Sequence, residues 1–287
     1  MSWSWISTLP SKYYTNQICQ TRGAEMYLIE FICQHYGYSD FIANGLIMSG
    51  KVLVNDEVCI WGKYKIKEKD QIRIKNKQKK FVTRSGYKLE KAIKSFALKI
   101  VGCIALDLGT SEGGFTDCLL QYGAEKVYAV DVAYGILNYN LRIDPRVIVL
   151  ERKNARYLTE QDIQETVDYI VADVSFISLR KVIPPNLKYL QYDGSAVLLF
   201  KPQFELGKDV LGKNGIPKYD EDVIDAMYLF VQDMEKEGLY INKIAISPIK
   251  GNSGNTEYLL LGGKKKSDIL SLENIACCVK KRDHYHE

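Results

Sequence analysis

The sequence predicts an α/β fold in which a parallel sheet covered by helices is preceded by a small α+β domain. Three observations carry this. From residue 84 onward, short apolar runs alternate with helix-compatible segments, the signature of crossover units. The first of these runs ends in a glycine-rich turn, Asp107-Leu-Gly-Thr-Ser-Glu-Gly-Gly-Phe115. Finally, 287 residues is long for one compact unit, at a prior of roughly 150 residues per domain, and the pattern changes near a basic stretch in residues 75–84.

Residues 1–25 show no usable period and are read as an N-terminal extension without fixed structure; Met26 offers a second start. Leu28, Ile29, Phe31 and Ile32 have helical spacing, and Phe41, Ile42, Gly45 and Leu46 continue as a second short helix that Gly50 stops. Val52 and Val54 predict a strand, Asp56–Glu57 a turn and Val58–Trp61 the returning strand. Ile66, Ile72 and Ile74 add strand material. The expected domain thus spans 26–75, followed by a basic linker at 76–83.

In the second domain, expected at 84–262, Leu89, Ala92, Ile93 and Phe96 mark an amphipathic helix. Strands are expected at Cys103–Leu108, Lys126–Val132, Val147–Leu150, Tyr169–Ala172, Ser195–Lys201, Ile244–Pro248 and Tyr258–Leu261. The tail, 263–287, holds an apolar stretch from Ile269 to Val279 that fits either a terminal helix or disorder.

Composition excludes several classes. With 46% apolar and 26% charged residues the chain can fill a core. No apolar run reaches the roughly 18 residues of a membrane span. The N-terminus lacks a signal-peptide pattern, and the seven cysteines form no C-x-x-C pair, so neither a disulfide framework nor a zinc site is expected. A reducing, cytoplasmic setting follows. Between Lys63 and Lys91, twelve Lys/Arg face three acids, a local +9 in a chain of net +4. Such a segment, with Tyr64, Phe81 and Tyr87 interleaved, suits a polyanion. Lys63, Lys65, Arg73, Lys75, Lys79, Lys80 and Arg84 are its candidate RNA contacts.

The glycine turn fits a nucleotide-type cofactor at the carboxyl end of a first strand, because glycines let backbone approach a ligand closely. Its spacing matches neither G-x-G-x-x-G nor the triphosphate-binding loop. Asp131 ends the next apolar run, where an acid accepts hydrogen bonds from ribose hydroxyls. Together they favour S-adenosyl-L-methionine over a dinucleotide.

DLGTSEGGFTD (107–117), DVAYGIL (131–137), ERKNAR (151–156), DVSFISL (173–179), KPQFE (201–205) and SPIKGNSGNTEYL (247–259) resemble the TlyA family of rRNA 2′-O-ribose methyltransferases, often called hemolysins. The stretch with GKVLVND (50–56) resembles the alpha-L RNA-binding domain. The chain departs from the family pattern at Glu112 in the glycine turn, and at 39–44, where the family carries basic residues. The resemblance implies a Rossmann-like S-adenosylmethionine-dependent methyltransferase domain behind an alpha-L domain, acting on a cytidine of 23S rRNA, in some members also of 16S rRNA, within rRNA or ribosomal subunits. It implies a Lys-Asp-Lys-Glu tetrad at Lys88, Asp173, Lys201 and Glu257, with Lys201 taking the hydroxyl proton, Asp173 orienting it, and Lys88 and Glu257 placing ribose and phosphate. Cofactor contacts are expected from Asp107, Gly109, Ser111, Gly113, Gly114 and Phe115, from Asp131 and Val132, from Asn154 and Ala155, and from Asp173; no metal and no membrane is expected. Rival readings are a non-catalytic ribosome-assembly factor, a membrane-active hemolysin, and a methyltransferase of another RNA or a small molecule.

Overall fold

The structure, a computed structural model, describes residues 19–20, 26–74 and 80–281. The chain divides into two units, Met1–Gln78 and Lys79–Glu287.

In the first unit, β1 (Cys19–Gln20) is followed by helices α1 (Leu28–Tyr36) and α2 (Asp40–Met48) and strands β2 (Val52–Val54), β3 (Glu57–Val58) and β4 (Gln71–Ile74), with sheet order β1-β4-β2-β3. β1 falls within the stretch expected to lack structure. Its backbone pairs antiparallel with β4, Cys19 opposite Ile72, a long-range pairing that two residues of sequence do not announce. The β2–β3 turn is Asn55–Asp56, one residue earlier than expected. Both residues have positive φ, 51° and 66°, the conformation a two-residue hairpin requires and Asn and Asp tolerate. The returning strand also stops at Val58, short of Trp61. Ile66 joins the core without forming a strand. It packs there with Leu28, Phe31, Ile32, Ile47, Val52 and Ile72.

The second unit contains α3 (Ser85–Phe96), β5 (Ile104–Leu108), α4 (Gly114–Gln121), β6 (Lys126–Asp131), α5 (Tyr139–Arg142), β7 (Val147–Glu151), β8 (Val167–Ala172), α6 (Leu179–Asn186), β9 (Leu190–Phe200), α7 (Pro202–Glu205), α8 (Asp220–Lys236), β10 (Tyr240–Ile246), β11 (Tyr258–Gly263) and α9 (Leu272–Lys280). Its seven-stranded sheet runs β10-β11-β9-β8-β5-β6-β7. The five strands from β9 to β7 are parallel, and β11 is antiparallel to both its neighbours. Side-chain alternation along the strands makes two cores. Leu106, Leu108, Leu198 and Phe200 face α6, α8 and α9, whereas Ala105, Val197, Leu199 and Leu259 face α3 and α4. The apolar tail therefore resolves as α9, whose Ile275 and Val279 are buried.

Two expectations change. The linker expected at 76–83 is shorter, because Phe81 is buried and the Val82 amide donates to Asp117 Oδ2 (2.8 Å), so residues 80–83 are part of the second unit. Lys88, just ahead of the helix expected from Leu89 onward, lies inside α3 one turn from its start.

Candidate active site

Parallel strands leave their carboxyl ends on one edge of a sheet, where ligands collect. Here β5, β8 and β9 deliver the glycine turn, Asp173 and Lys201 to that edge. Lys201 precedes α7, whose first residue is Pro202; proline cannot donate within a strand and suits a first helical position, so β9 ends and α7 begins at that point. The Asp173 amide donates to the carbonyl of Leu108 (3.1 Å), which seats it against Gly109. Gly109 has φ +85°, and a Cβ there would come 2.9 Å from the Asp173 carbonyl oxygen, so this approach requires glycine.

The four tetrad side chains converge as a row of alternating charge. Glu257 Oε2 lies 2.6 Å from Lys88 Nζ, Lys88 Nζ 3.9 Å from Asp173 Oδ2, and Asp173 Oδ1 2.6 Å from Lys201 Nζ. Lys201 also donates to Ser175 Oγ (2.9 Å). Lys88, Lys201 and Glu257 are buried, 6%, 6% and 3% exposed. Alternation is what makes such burial tolerable, since each charge has an opposite neighbour. All four border a cavity of about 730 Å³, together with Gly109, Ser111, Glu112 and Phe115.

Other expected cofactor residues are placed differently. Gly113 and Gly114 serve packing instead of lining the cavity. A Cβ on Gly113 would strike Leu141 and Leu137, and one on Gly114 would strike Ser85 and Thr83. The side chain of Asp107 is fully buried, with Oδ2 accepting from Thr116 (2.7 Å). Burial pushes its carboxyl up to about 7. Asp131 holds the turn by accepting from the amides of Ser111 (2.7 Å) and Ala133 (2.8 Å). Asp131, Val132, Asn154 and Ala155 lie outside the cavity lining, at the ends of β6 and β7. Asn154 caps the amide of Arg156 (3.1 Å), and the Ala155 carbonyl accepts from Asn186 (2.8 Å).

The basic candidates are also divided. Lys63 and Lys65 are exposed in the first unit, where Arg73 pairs with Asp56 (2.7 Å). Lys75 and Lys79 lie outside the described residues. In the second unit Lys80 is bound by Glu90, and Arg84 is exposed at the cavity, bonded to Asn252.

Sequence reasoning missed Ser175, Phe176, Gln203, Phe204 and Asn255, which line the cavity as well. Four of the five sit within two or three residues of Asp173 or Lys201, and that proximity was the available signal. Phe176 is 92% exposed, with φ 62°.

A sheet of this order, with a glycine turn at the end of its central strand and a charged cavity beside it, defines a Rossmann-like S-adenosylmethionine-dependent methyltransferase. Residues 81–264 match the FtsJ-like methyltransferase family. Hemolysin A of Brachyspira hyodysenteriae is 40% identical over 240 residues, covering 82% of this chain and 98% of that protein. The 16S/23S rRNA (cytidine-2′-O)-methyltransferase TlyA of Mycobacterium tuberculosis is 41% identical over 187 residues, 65% of this chain and 70% of that one. A solved structure of a candidate hemolysin from Streptococcus thermophilus is 32% identical, covers 91% of this chain and 96% of its own, and superposes with a TM-score of 0.70. The chain belongs to the FtsJ-like methyltransferase family, in its TlyA branch, and is an enzyme of that kind. No helix among the described residues is long and apolar enough to cross a membrane, and no group of metal-ligating side chains occurs among them.

The residues present fit the methyl donor. Glu112 and Asp173 set carboxylates beside the cavity, complementary in charge to the donor's cationic sulfonium. Beneath the glycine turn, Asp107 Oδ1 is buried with no hydrogen-bond partner among the described residues.

Proposed function

We propose that this chain methylates the 2′-hydroxyl of a cytidine in ribosomal RNA, using Lys88, Asp173, Lys201 and Glu257. The observation that carries this reading is the Glu257–Lys88–Asp173–Lys201 row at the cavity beside the glycine turn. The names of the related methyltransferases support rRNA as partner and cytidine as target.

S-adenosylmethionine, when bound, supplies an electrophilic methyl group. Gly109, Ser111, Phe115 and Asp173 would hold its amino-acid part, and Asp131, Val132, Asn154 and Ala155 its nucleoside. A ribose hydroxyl is a poor nucleophile, so the protein must align it and accept its proton as the new bond forms. Lys201 does this. Two of its N–H directions are taken by Asp173 and Ser175, so the third, once its proton has left, presents a lone pair for the hydroxyl. Asp173 orients Lys201. Lys88, enclosed and bound to Glu257, keeps Asp173 and Glu257 in place; the phosphate contact expected of it passes to the exposed Arg84 at the rim. The open face of Phe176 offers a surface on which a splayed-out base stacks.

The test uses unmethylated 30S, 50S and 70S particles with labelled methyl donor, followed by mass-spectrometric mapping. A methyl group on a cytidine ribose is expected. Methylation confined to base atoms, or no transfer by a folded, donor-binding protein, overturns the reading.

A further inference from the structure

We propose that Gln203 selects the target nucleotide by accepting a hydrogen bond from the exocyclic amino group of its base. The inference rests on the ribose-methylation reading above and names the residue that tells cytosine from uracil.

Gln203 is the second residue of α7, two positions after Lys201. That short helix does not stand alone. Glu205, its last residue, accepts hydrogen bonds from Ser178 Oγ (2.6 Å) and the Leu179 amide (2.7 Å) and pairs with Arg180 (3.0 Å). α7 and the 173–178 loop are therefore fixed to one another, and with them the ring of Phe176, whose centroid lies 5.4 Å from that of Phe204. Lys201 Nζ is 5.8 Å from the Phe204 ring. The proton-accepting atom and the aromatic surface are within the reach of a single nucleotide.

Gln203 borders both the catalytic cavity and a groove of about 570 Å³ next to it, with Phe176 and Phe204 shared between the two. Its Oε1 is buried and has no hydrogen-bond partner among the described residues. A buried acceptor left unpaired costs about 1–3 kcal/mol, so such an atom beside a binding cavity calls for a donor from the ligand. Cytosine stacked on Phe176 carries one, its amino group. Uracil carries a carbonyl in the same place, which Oε1 cannot bond, so uracil gains a hydrogen bond only if the amide turns over to present its NH2; a site built to bond one group rejects the analogue lacking it more strongly than shape alone can.

The experiment compares particles carrying C or U at the mapped target for the wild type, Gln203→Leu and Gln203→Glu. The wild type should favour C by about 100-fold in kcat/KM, at the scale of one or two such hydrogen bonds. Gln203→Leu should lose about tenfold on C, with U unchanged, so that the preference falls to about tenfold. Gln203→Glu, which retains an acceptor, should retain the preference. All three should bind S-adenosylmethionine equally by calorimetry, which shows that the site has folded. A leucine variant that discriminates as well as the wild type, or a glutamate variant that loses discrimination, overturns the role. A wild-type product mapped as 2′-O-methyluridine removes base reading and leaves ribose methylation standing, while absence of any ribose methyl overturns both.

Discussion

The Lys88 ammonium lies 2.6 Å from the Glu257 carboxylate, 169 residues further along the chain, and both are largely withdrawn from water: their side chains are 8% and 3% exposed. Breaking one side of a buried pair strands the other charge. Lys88→Met is therefore expected to destabilise the protein by about 3–5 kcal/mol. Lys88→Met combined with Glu257→Leu should recover most of that in urea unfolding while staying inactive. A single variant as stable as the wild type would show that the pair is not buried in solution.

Lys201→Ala removes the proposed proton acceptor and leaves the glycine turn untouched. Single-turnover methylation of ribosomal particles should fall by about 10²–10⁴, with donor affinity by calorimetry unchanged. Near-normal turnover would eliminate Lys201 as the acceptor.

Asp131→Ala deprives the Ser111 and Ala133 amides of their acceptor and, on the proposed assignment, the donor's ribose of its partner. Affinity for S-adenosylmethionine should drop about tenfold or more, the scale of one charge-assisted hydrogen bond. Unchanged affinity on titration would end the ribose assignment.

Asp107 makes stability depend on pH. Its carboxyl, raised by burial from 3.8 to about 7, binds a proton in the folded protein that it has lost in the unfolded chain across that interval. Its contribution is thus full below about pH 4 and is lost as pH rises through 7. Asp107→Asn, which cannot ionise, should gain in stability relative to the wild type as pH climbs from 4 to 7, in unfolding of the donor-free protein. A difference constant with pH would mean that Asp107 titrates normally.

How much of this was legible in the sequence differs by element. The strands from β5 to β9 and β11 were readable because a strand covered on both faces is a run of apolar residues such as Ala196–Phe200, whatever its neighbours are. The α9 helix was left open because a helix of nine residues draws its stability from packing, here against α8, and not from its own propensity. Gly113 and Gly114, expected at the cofactor, have packed side chains where a Cβ would stand, and the sequence did not show this because a glycine in a turn signals close approach without saying what approaches. Leu141 lies 27 or more residues after them and Thr83 some 30 before, so only folding could name these neighbours.

Local order in the chain determined the alternating architecture and the glycine turn after its first strand, because periodicity and turn chemistry act over a few neighbouring positions; the four tetrad residues were marked by the resemblance of their motifs to the TlyA family. The tertiary structure alone decided that Lys88 is bound to Glu257, that Asp107 is sealed from water, and that the Gln203 acceptor finds no donor among the described residues. Each of these depends on distance and burial, which are set by strands that meet only when the sheet has closed around them.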